Sequence, residues 1–278
     1  IQSLYSEAVQ FLRASNTDDV DMVALFVIEQ VFGGKYLALV GSSVTVDEDG
    51  RKRVFDALNQ YVQHVPLAYI FESVMFRGVD YYVRPGVLIP RPETEEMVDI
   101  VMGMIRDLTQ KDSRVSVFEL GLGSGVISIE LAVQFPDVSF YGWDISETAI
   151  SVTKQNMSRR GVDNIQVFHG DFFDSIDDYL SVDGVQFLVT NPPYISESEY
   201  ADLDACVLEE PKLALVADDD GLAIITQALR LCITHSIAFI SEIGYRQHAR
   251  IQELFPMVSL RFIDDLSGHH RFVVYLPD

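Results

Sequence analysis

From Arg114 to the C-terminus, short apolar runs alternate with longer segments of helical periodicity. No other feature of the chain constrains its fold as strongly. Residues 115–120, 138–143, 165–169, 186–190 and 237–243 read as strands, and residues 126–134, 147–160, 221–235 and 247–255 as the helices among them. Strand–helix alternation predicts an α/β fold with a mostly parallel sheet covered on both faces. Two further strands, 258–264 and 271–276, flank Ser267-Gly268 and predict an antiparallel edge.

The residues before this region read differently. Leu4, Tyr5, Ala8, Val9 and Leu12 follow helical spacing. Asp18 and Asp19 are placed to cap a second helix bearing Val23, Phe26, Val27 and Val31, which Gly33-Gly34 would stop. Val54, Phe55, Leu58, Tyr61 and Val62 predict another over 47–64. No motif with chemistry falls here, so residues 1–65 are expected to be a small helical domain that works by contact. Residues 66–92 are expected to form a linking hairpin, with strands over 69–76 and 81–84 around Arg77-Gly78-Val79-Asp80. The domain carrying the chemistry then occupies 93–278, opening on a helix in which Pro92 sits in the first turn.

Glu119-Leu120-Gly121-Leu122-Gly123-Ser124-Gly125 follows the first strand of the alternating region and opens a helix. A glycine loop there brings backbone N–H groups against a ligand, although a packing turn would use the same residues. A dinucleotide site wants G-x-G-x-x-G, but here the third glycine arrives one residue early and Val126 takes its place. Asp144 ends the next strand, where a carboxylate can accept from both hydroxyls of a ribose. Asp171-Phe172-Phe173 ends the third and offers a polar group and aromatic surface to an adenine. Each acid alone could equally cap its strand end. Three strand ends in order, without a pyrophosphate loop, point to S-adenosylmethionine rather than NAD.

Asn191-Pro192-Pro193-Tyr194 ends the fourth strand, beside the glycine loop at the carboxyl ends of the sheet. Two prolines stiffen the turn and remove two N–H donors. What remains are acceptors, the Asn191 side-chain carbonyl and the Pro192 main-chain carbonyl, which suit a planar NH₂ group whose face Tyr194 could cover. An ordinary Pro-rich turn is the competing reading.

Charge narrows the partner. Against 20 basic residues stand 42 acidic ones, giving −22 at pH 7, which opposes naked nucleic acid as the substrate and would attract a basic protein. Hydrophobic residues make up 48%, enough to exclude disorder as the main state. The only cysteines, Cys206 and Cys232, read as buried thiols of a reducing compartment, and no apolar run approaches a membrane span. A cytoplasmic location and no membrane partner are therefore expected. Residue 1 is Ile, which leaves open both a native start upstream and a removed targeting peptide. His269-His270 point to opposite faces of a strand and are read as a solvent-side turn rather than a metal site. The acidic residues Glu197, Glu199, Asp202, Asp204, Glu209, Glu210 and 218–220 read as a solvated surface, with docking of a basic protein as the alternative.

The glycine loop, the strand-end Asp and the Asn-Pro-Pro-Tyr turn together resemble class I methyltransferases acting on a planar amino nitrogen. The wider pattern resembles the release-factor glutamine N5-methyltransferases, the PrmC/HemK family. Its matching pieces are Leu88-Ile89-Pro90-Arg91-Pro92-Glu93-Thr94-Glu95, the glycine loop, residues 191–195, Glu209-Glu210-Pro211 with Leu213-Ala214-Leu215, Asp220-Gly221-Leu222, Glu242-Ile243-Gly244, and Asp265-Leu266-Ser267-Gly268 with Arg271. Leu122 departs from the small or polar residue usual in that family.

The resemblance implies a Rossmann-like, mostly parallel seven-stranded sheet, and an N-terminal helical domain that recognises substrate. It implies methylation of the Gly-Gly-Gln glutamine of class 1 peptide-chain release factors by a monomeric enzyme, modulating translation termination. Gly121, Leu122, Gly123, Ser124, Gly125, Asp144, Asp171, Phe172 and Asn191 would hold the cofactor, with Glu119 reaching its ammonium. Asn191, Pro192, Pro193 and Tyr194 would hold the glutamine amide. Arg91 and Glu93 would support the pocket wall or form an internal ion pair. A nucleic-acid amino-group methyltransferase is the rival enzyme reading, a non-catalytic binding protein the rival outside enzymes, and an NAD oxidoreductase the most distant.

Overall fold

A computed structural model describes residues 1–42, 44–109, 114–180 and 184–277. The chain divides into two compact units. One comprises Ile1–Glu72 with Ala205–Glu209, the other Ser73–Asp204 with Glu210–Asp278.

The first unit is helical, with helices Gln2–Ala14, Val20–Phe32, Tyr36–Val40, Glu48–Tyr61 and Leu67–Ile70, joined by the short helix Ala205–Leu208. Leu4, Ala8 and Leu12, Ala24 and Ile28, and Val54 and Leu58 lie in its core, each four residues from the next on its own element. Asp47 caps its helix by accepting from Gly50 N–H at 2.8 Å. Asp19 sits at the N-cap of Val20–Phe32 in the left-handed region, φ +52°, and its side chain makes no capping bond. The strand expected from residue 69 begins only at Ser73, because Pro66 opens a helical turn, Leu67–Ile70, that takes in Tyr69.

The second unit begins with an antiparallel hairpin, β1 (Ser73–Phe76) and β2 (Val79–Tyr82). Helix Pro92–Thr109 follows, then β3 (Val115–Leu120), β4 (Ser139–Asp144), β5 (Ile165–His169), β6 (Val185–Thr190), β7 (Ala238–Glu242), β8 (Leu260–Asp264) and β9 (His270–Tyr275). The seven-stranded sheet runs β5-β4-β3-β6-β7-β9-β8. Its first five strands are parallel, and β9 and β8 complete it antiparallel.

Period-two alternation splits the core. Val117, Phe187 and Val189 pack on one face against Met97, Val101 and Ile129, while Phe118 and Leu188 pack on the other against Ile225, Leu229 and Ile251. The chain reverses its crossover direction at β3, which pairs Leu120 with Trp143 of β4 and with Thr190 of β6. The carboxyl ends of β4, β3 and β6 therefore stand side by side at the switch point of the sheet, where open α/β folds bind ligands.

Candidate active site

At that switch point lies a cavity of about 310 Å³, lined by Gly121, Gly123, Trp143, Asp144, Asp171, Phe172, Asn191, Pro192 and Pro193 among others. The volume falls at the lower end of the ~300–1,000 Å³ usual for small-molecule sites.

The glycine loop is held from within. Gly121 and Leu122 N–H both donate to the Trp143 carbonyl, at 2.9 and 3.1 Å, and Gly125 N–H donates to Leu122 O at 2.7 Å. Gly123 N–H donates to Asp144 Oδ2 at 2.8 Å. These donors are bonded inside the protein, so the loop is not a free nest for a phosphate, in keeping with a glycine spacing that lacks a pyrophosphate loop. Gly121 and Gly123 have φ of +78° and +55°, and space is open where a Cβ would stand. Conformation, not crowding, requires glycine there.

Asp144 Oδ1 accepts from Ser146 N–H at 2.8 Å, so each carboxylate oxygen is anchored once and keeps lone-pair capacity toward the cavity. Burial pushes its carboxyl above the usual range, against the two N–H bonds that hold it down. Asp171 caps the helical turn Phe172–Ser175 by accepting from Phe173 N–H at 2.9 Å. Phe172 is buried edge-on against Trp143, ring centroids 5.2 Å apart, and the Trp143 indole donates to Ser175 Oγ at 2.8 Å. This apolar wall beside an anchored carboxylate fits a ribose and an adenine.

The other end of the cavity is the turn after β6. Asn191 Nδ2 donates to Thr94 Oγ1 at 3.0 Å, and no donor among the described residues reaches Asn191 Oδ1 or the Pro192 carbonyl. The Tyr194 hydroxyl donates to Glu242 Oε1 at 3.0 Å, and the Tyr194 carbonyl accepts from Gln247 Nε2 at 2.9 Å. Burial and the adjacent Glu242 carboxylate push the phenol pKa up, so it stays protonated and donates.

Gly121, Gly123, Asp144, Asp171, Phe172, Asn191, Pro192 and Pro193 thus share one cavity, whereas Glu119, Leu122, Ser124, Gly125 and Tyr194 do not line it. Leu122 turns its side chain onto Gly142 of β4. The Ser124 carbonyl accepts from Asn156 Nδ2 at 2.8 Å, and Gly125 begins the helix Val126–Gln134. Glu119 is fully enclosed and accepts from Ser128 N–H at 2.9 Å and from its hydroxyl; burial pushes its carboxyl up to about 8.

Sequence reasoning missed Ile145, which lines the cavity beside Asp144 and is 52% exposed. Its signal was an apolar residue immediately after a strand-end acid, with no place in the alternating core pattern. Glu210, read as part of a solvated surface, is instead buried. It accepts from Ile89 N–H at 2.9 Å and pairs with Arg91, which settles Arg91 as an ion-pair partner and ties together segments whose neighbours Leu88 and Pro211 line the cavity.

The fold and this site define a class I methyltransferase. Residues 96–227 match the Methyltransferase small domain family. The fold resembles the catalytic domain of METTL16 solved in complex with a MAT2A 3′UTR hairpin, at 12% identity, a TM-score of 0.55 and 84% coverage of each chain. The chain is 35% identical over 250 residues to the release factor glutamine methyltransferase of Streptococcus pneumoniae, covering 86% of this chain and 84% of that protein. Against its namesake in Enterococcus faecalis the identity is 33% over 275 residues, 96% of this chain and 95% of that one. The chain belongs to the release factor glutamine methyltransferase family.

Proposed function

We propose that this protein transfers a methyl group from S-adenosylmethionine to the side-chain amide nitrogen (N5) of the glutamine in the Gly-Gly-Gln loop of class 1 peptide-chain release factors. The observation that carries the reading is the pair of acceptors, Asn191 Oδ1 and the Pro192 carbonyl, that no donor among the described residues reaches, on residues lining a cavity whose other end is Asp144 and Phe172. When bound, the cofactor supplies a methyl group already activated by a sulfonium.

The chain's own residues do the rest. Asp144 would accept from the ribose hydroxyls of the cofactor, Phe172 and Ile145 would pack its adenine, and the open space at Gly121 and Gly123 would admit it against the loop backbone. Asn191 Oδ1 and Pro192 O accept the two N–H bonds of the glutamine amide, fixing its plane and directing the nitrogen inward. Alignment and exclusion of water supply the rate, an effect worth up to ~7–11 kcal/mol in favourable cases. As the N–C bond forms and the methyl–sulfur bond breaks, leaving a neutral thioether, the nitrogen becomes acidic and releases one of its two protons to solvent, so no strong base is needed beside it. Tyr194, anchored on Glu242 and Gln247, holds the turn in this geometry.

The helical unit is assigned recognition of the release factor body, and the −22 charge favours a basic protein over naked nucleic acid. The test is a filter assay with tritiated S-adenosylmethionine, offering unmodified class 1 release factor, naked RNA and naked DNA in parallel. Label in the release factor alone is expected. Label in nucleic acid with none in the release factor would overturn the reading.

A further inference from the structure

The acceptor that faces the substrate depends on a buried chain of side chains behind the turn. Glu242, the last residue of β7, is 1% exposed, and Thr94, in the first turn of Pro92–Thr109, is 2% exposed. Glu242 Oε2 accepts from the Thr94 hydroxyl at 2.9 Å, and Thr94 Oγ1 accepts from Asn191 Nδ2 at 3.0 Å. The other carboxylate oxygen is occupied by Tyr194. Burial raises the Glu242 carboxyl above its ordinary value, against the bonds from Thr94 and Tyr194 and the positive charge of Arg271, which is held by Asp265 at 3.2 Å and by the Ile243 carbonyl at 3.3 Å.

A hydroxyl has one proton to give, and a carboxylate can only accept. The Thr94 proton is therefore committed to Glu242, and Thr94 turns a lone pair toward Asn191. Only an N–H can meet a lone pair, so the amide of Asn191 is fixed with Nδ2 inward and Oδ1 toward the cavity. Rotated by half a turn, the same side chain would present N–H donors to the N–H donors of the substrate amide. We propose that Glu242 and Thr94 are positioning residues that set the polarity of Asn191: the buried carboxylate decides, through the threonine hydroxyl, which end of the asparagine amide meets the substrate. The consequence for turnover rests on the function proposed above, whereas the orientation of Asn191 does not.

Two measurements test this, one independent of activity. In protein labelled with ¹⁵N-asparagine, the Asn191→Ala variant identifies the Asn191 side-chain amide signals. A nuclear Overhauser contact from these protons to the Thr94 methyl is expected in the wild type. It should be lost or weakened in Glu242→Gln, whose own NH₂ can donate to Thr94 and free the threonine proton to turn toward Asn191. Asn191 amide signals unchanged in both Glu242→Gln and Thr94→Val would overturn the proposal.

With release factor as substrate, the isosteric Thr94→Val should lower kcat by about tenfold to a hundredfold, the scale of a disturbed preorganised contact at a reacting centre. Its KM values should stay near those of the wild type, and Thr94→Ser, which restores the hydroxyl, should recover most of kcat. Wild-type kcat in a folded Thr94→Val would likewise overturn it. A wild type that leaves the release factor unlabelled would refute the proposed function, while the resonance measurement would still decide the orientation of Asn191.

Discussion

At the glycine-loop end of the cavity the wall is held by main-chain N–H groups over shorter sequence distances: Gly121 and Leu122 to the Trp143 carbonyl, and Gly123 and Ser146 to the Asp144 carboxylate. At the Asn-Pro-Pro-Tyr end it is held by side chains brought from far along the chain, Thr94, Glu242 and Gln247. The first end needs particular backbone conformations and one carboxylate. The second needs particular side-chain atoms in particular donor and acceptor states. Under the proposed function, the first end would serve a cofactor of fixed shape with a rigid backbone cradle, and the second would meet two N–H bonds with acceptors whose polarity is enforced.

The comparison can be broken most severely at Asn191. Replacement by Ala should cut turnover by roughly 10²–10³-fold, the cost of losing one preorganised polar contact at the reacting centre. Circular dichroism should remain native and calorimetric cofactor binding largely intact. Loss of cofactor affinity as large as the loss of turnover would erase the division between the two ends.

At the other end, Asp144→Ala should weaken S-adenosylmethionine binding by about 10–100-fold, because hydrogen bonds to a charged group are worth ~1.5–3 kcal/mol. Titration calorimetry reads this directly, and kcat at saturating cofactor should change less.

The backbone cradle is sharpened by Gly142→Ala in β4, whose added Cβ would stand 2.8 Å from Leu122 Cγ. Overpacking of this kind costs ~1–3 kcal/mol, and Leu122→Ala in the same chain should recover part of the lost melting temperature.

Of the two carboxyls raised by burial at this end, Asp144 and Glu119, the fully enclosed Glu119 gives the clearer pH test. Its folded pKa is raised by burial to about 8, above the ordinary 4.5. Its contribution to stability is therefore fully present below pH 4.5 and lost as pH rises through about 8. Thermal melts between pH 4 and 9 should show a steeper decline with rising pH for the wild type than for Glu119→Gln; parallel profiles would contradict the burial argument.

The smallest effect belongs to the capping box after the turn, where Ser196 and Glu199 satisfy each other's N–H groups. Ser196→Ala should cost ~1 kcal/mol by denaturant titration.

The same contrast explains what the sequence could reveal. Strand ends, the glycine loop and the rigid turn are local patterns of periodicity and spacing, so Gly121, Gly123, Asp144, Phe172 and Asn191 could be named from them and are found around one cavity. Period-two and helical spacing likewise carried the sheet and its covering helices. Pairs such as Thr94 with Glu242 and Glu210 with Arg91 leave no mark on spacing, because only the folded sheet brings their segments together. Glu210 looked like one more surface acid in an acidic run, and only its bonds to Ile89 and Arg91 distinguish it. Glu119 was drawn toward the ligand by its place beside the glycine loop, yet Ser128, on the first turn of the next helix, takes its carboxylate. The hairpin was expected too early because the aromatic residues from Tyr69 resemble a strand, while Pro66 starts a helical turn.

The central claim is that the site takes the planar NH₂ of a glutamine side chain, and tandem mass spectrometry tests it most directly. Unmodified class 1 release factor would be incubated with this protein and S-adenosylmethionine, then digested and fragmented through the Gly-Gly-Gln peptide. The account predicts one methyl group on the side-chain amide nitrogen of that glutamine, and none when it is replaced by glutamate. A methyl group elsewhere in the release factor, or an unmodified glutamine after incubation with cofactor-loaded enzyme, would contradict it.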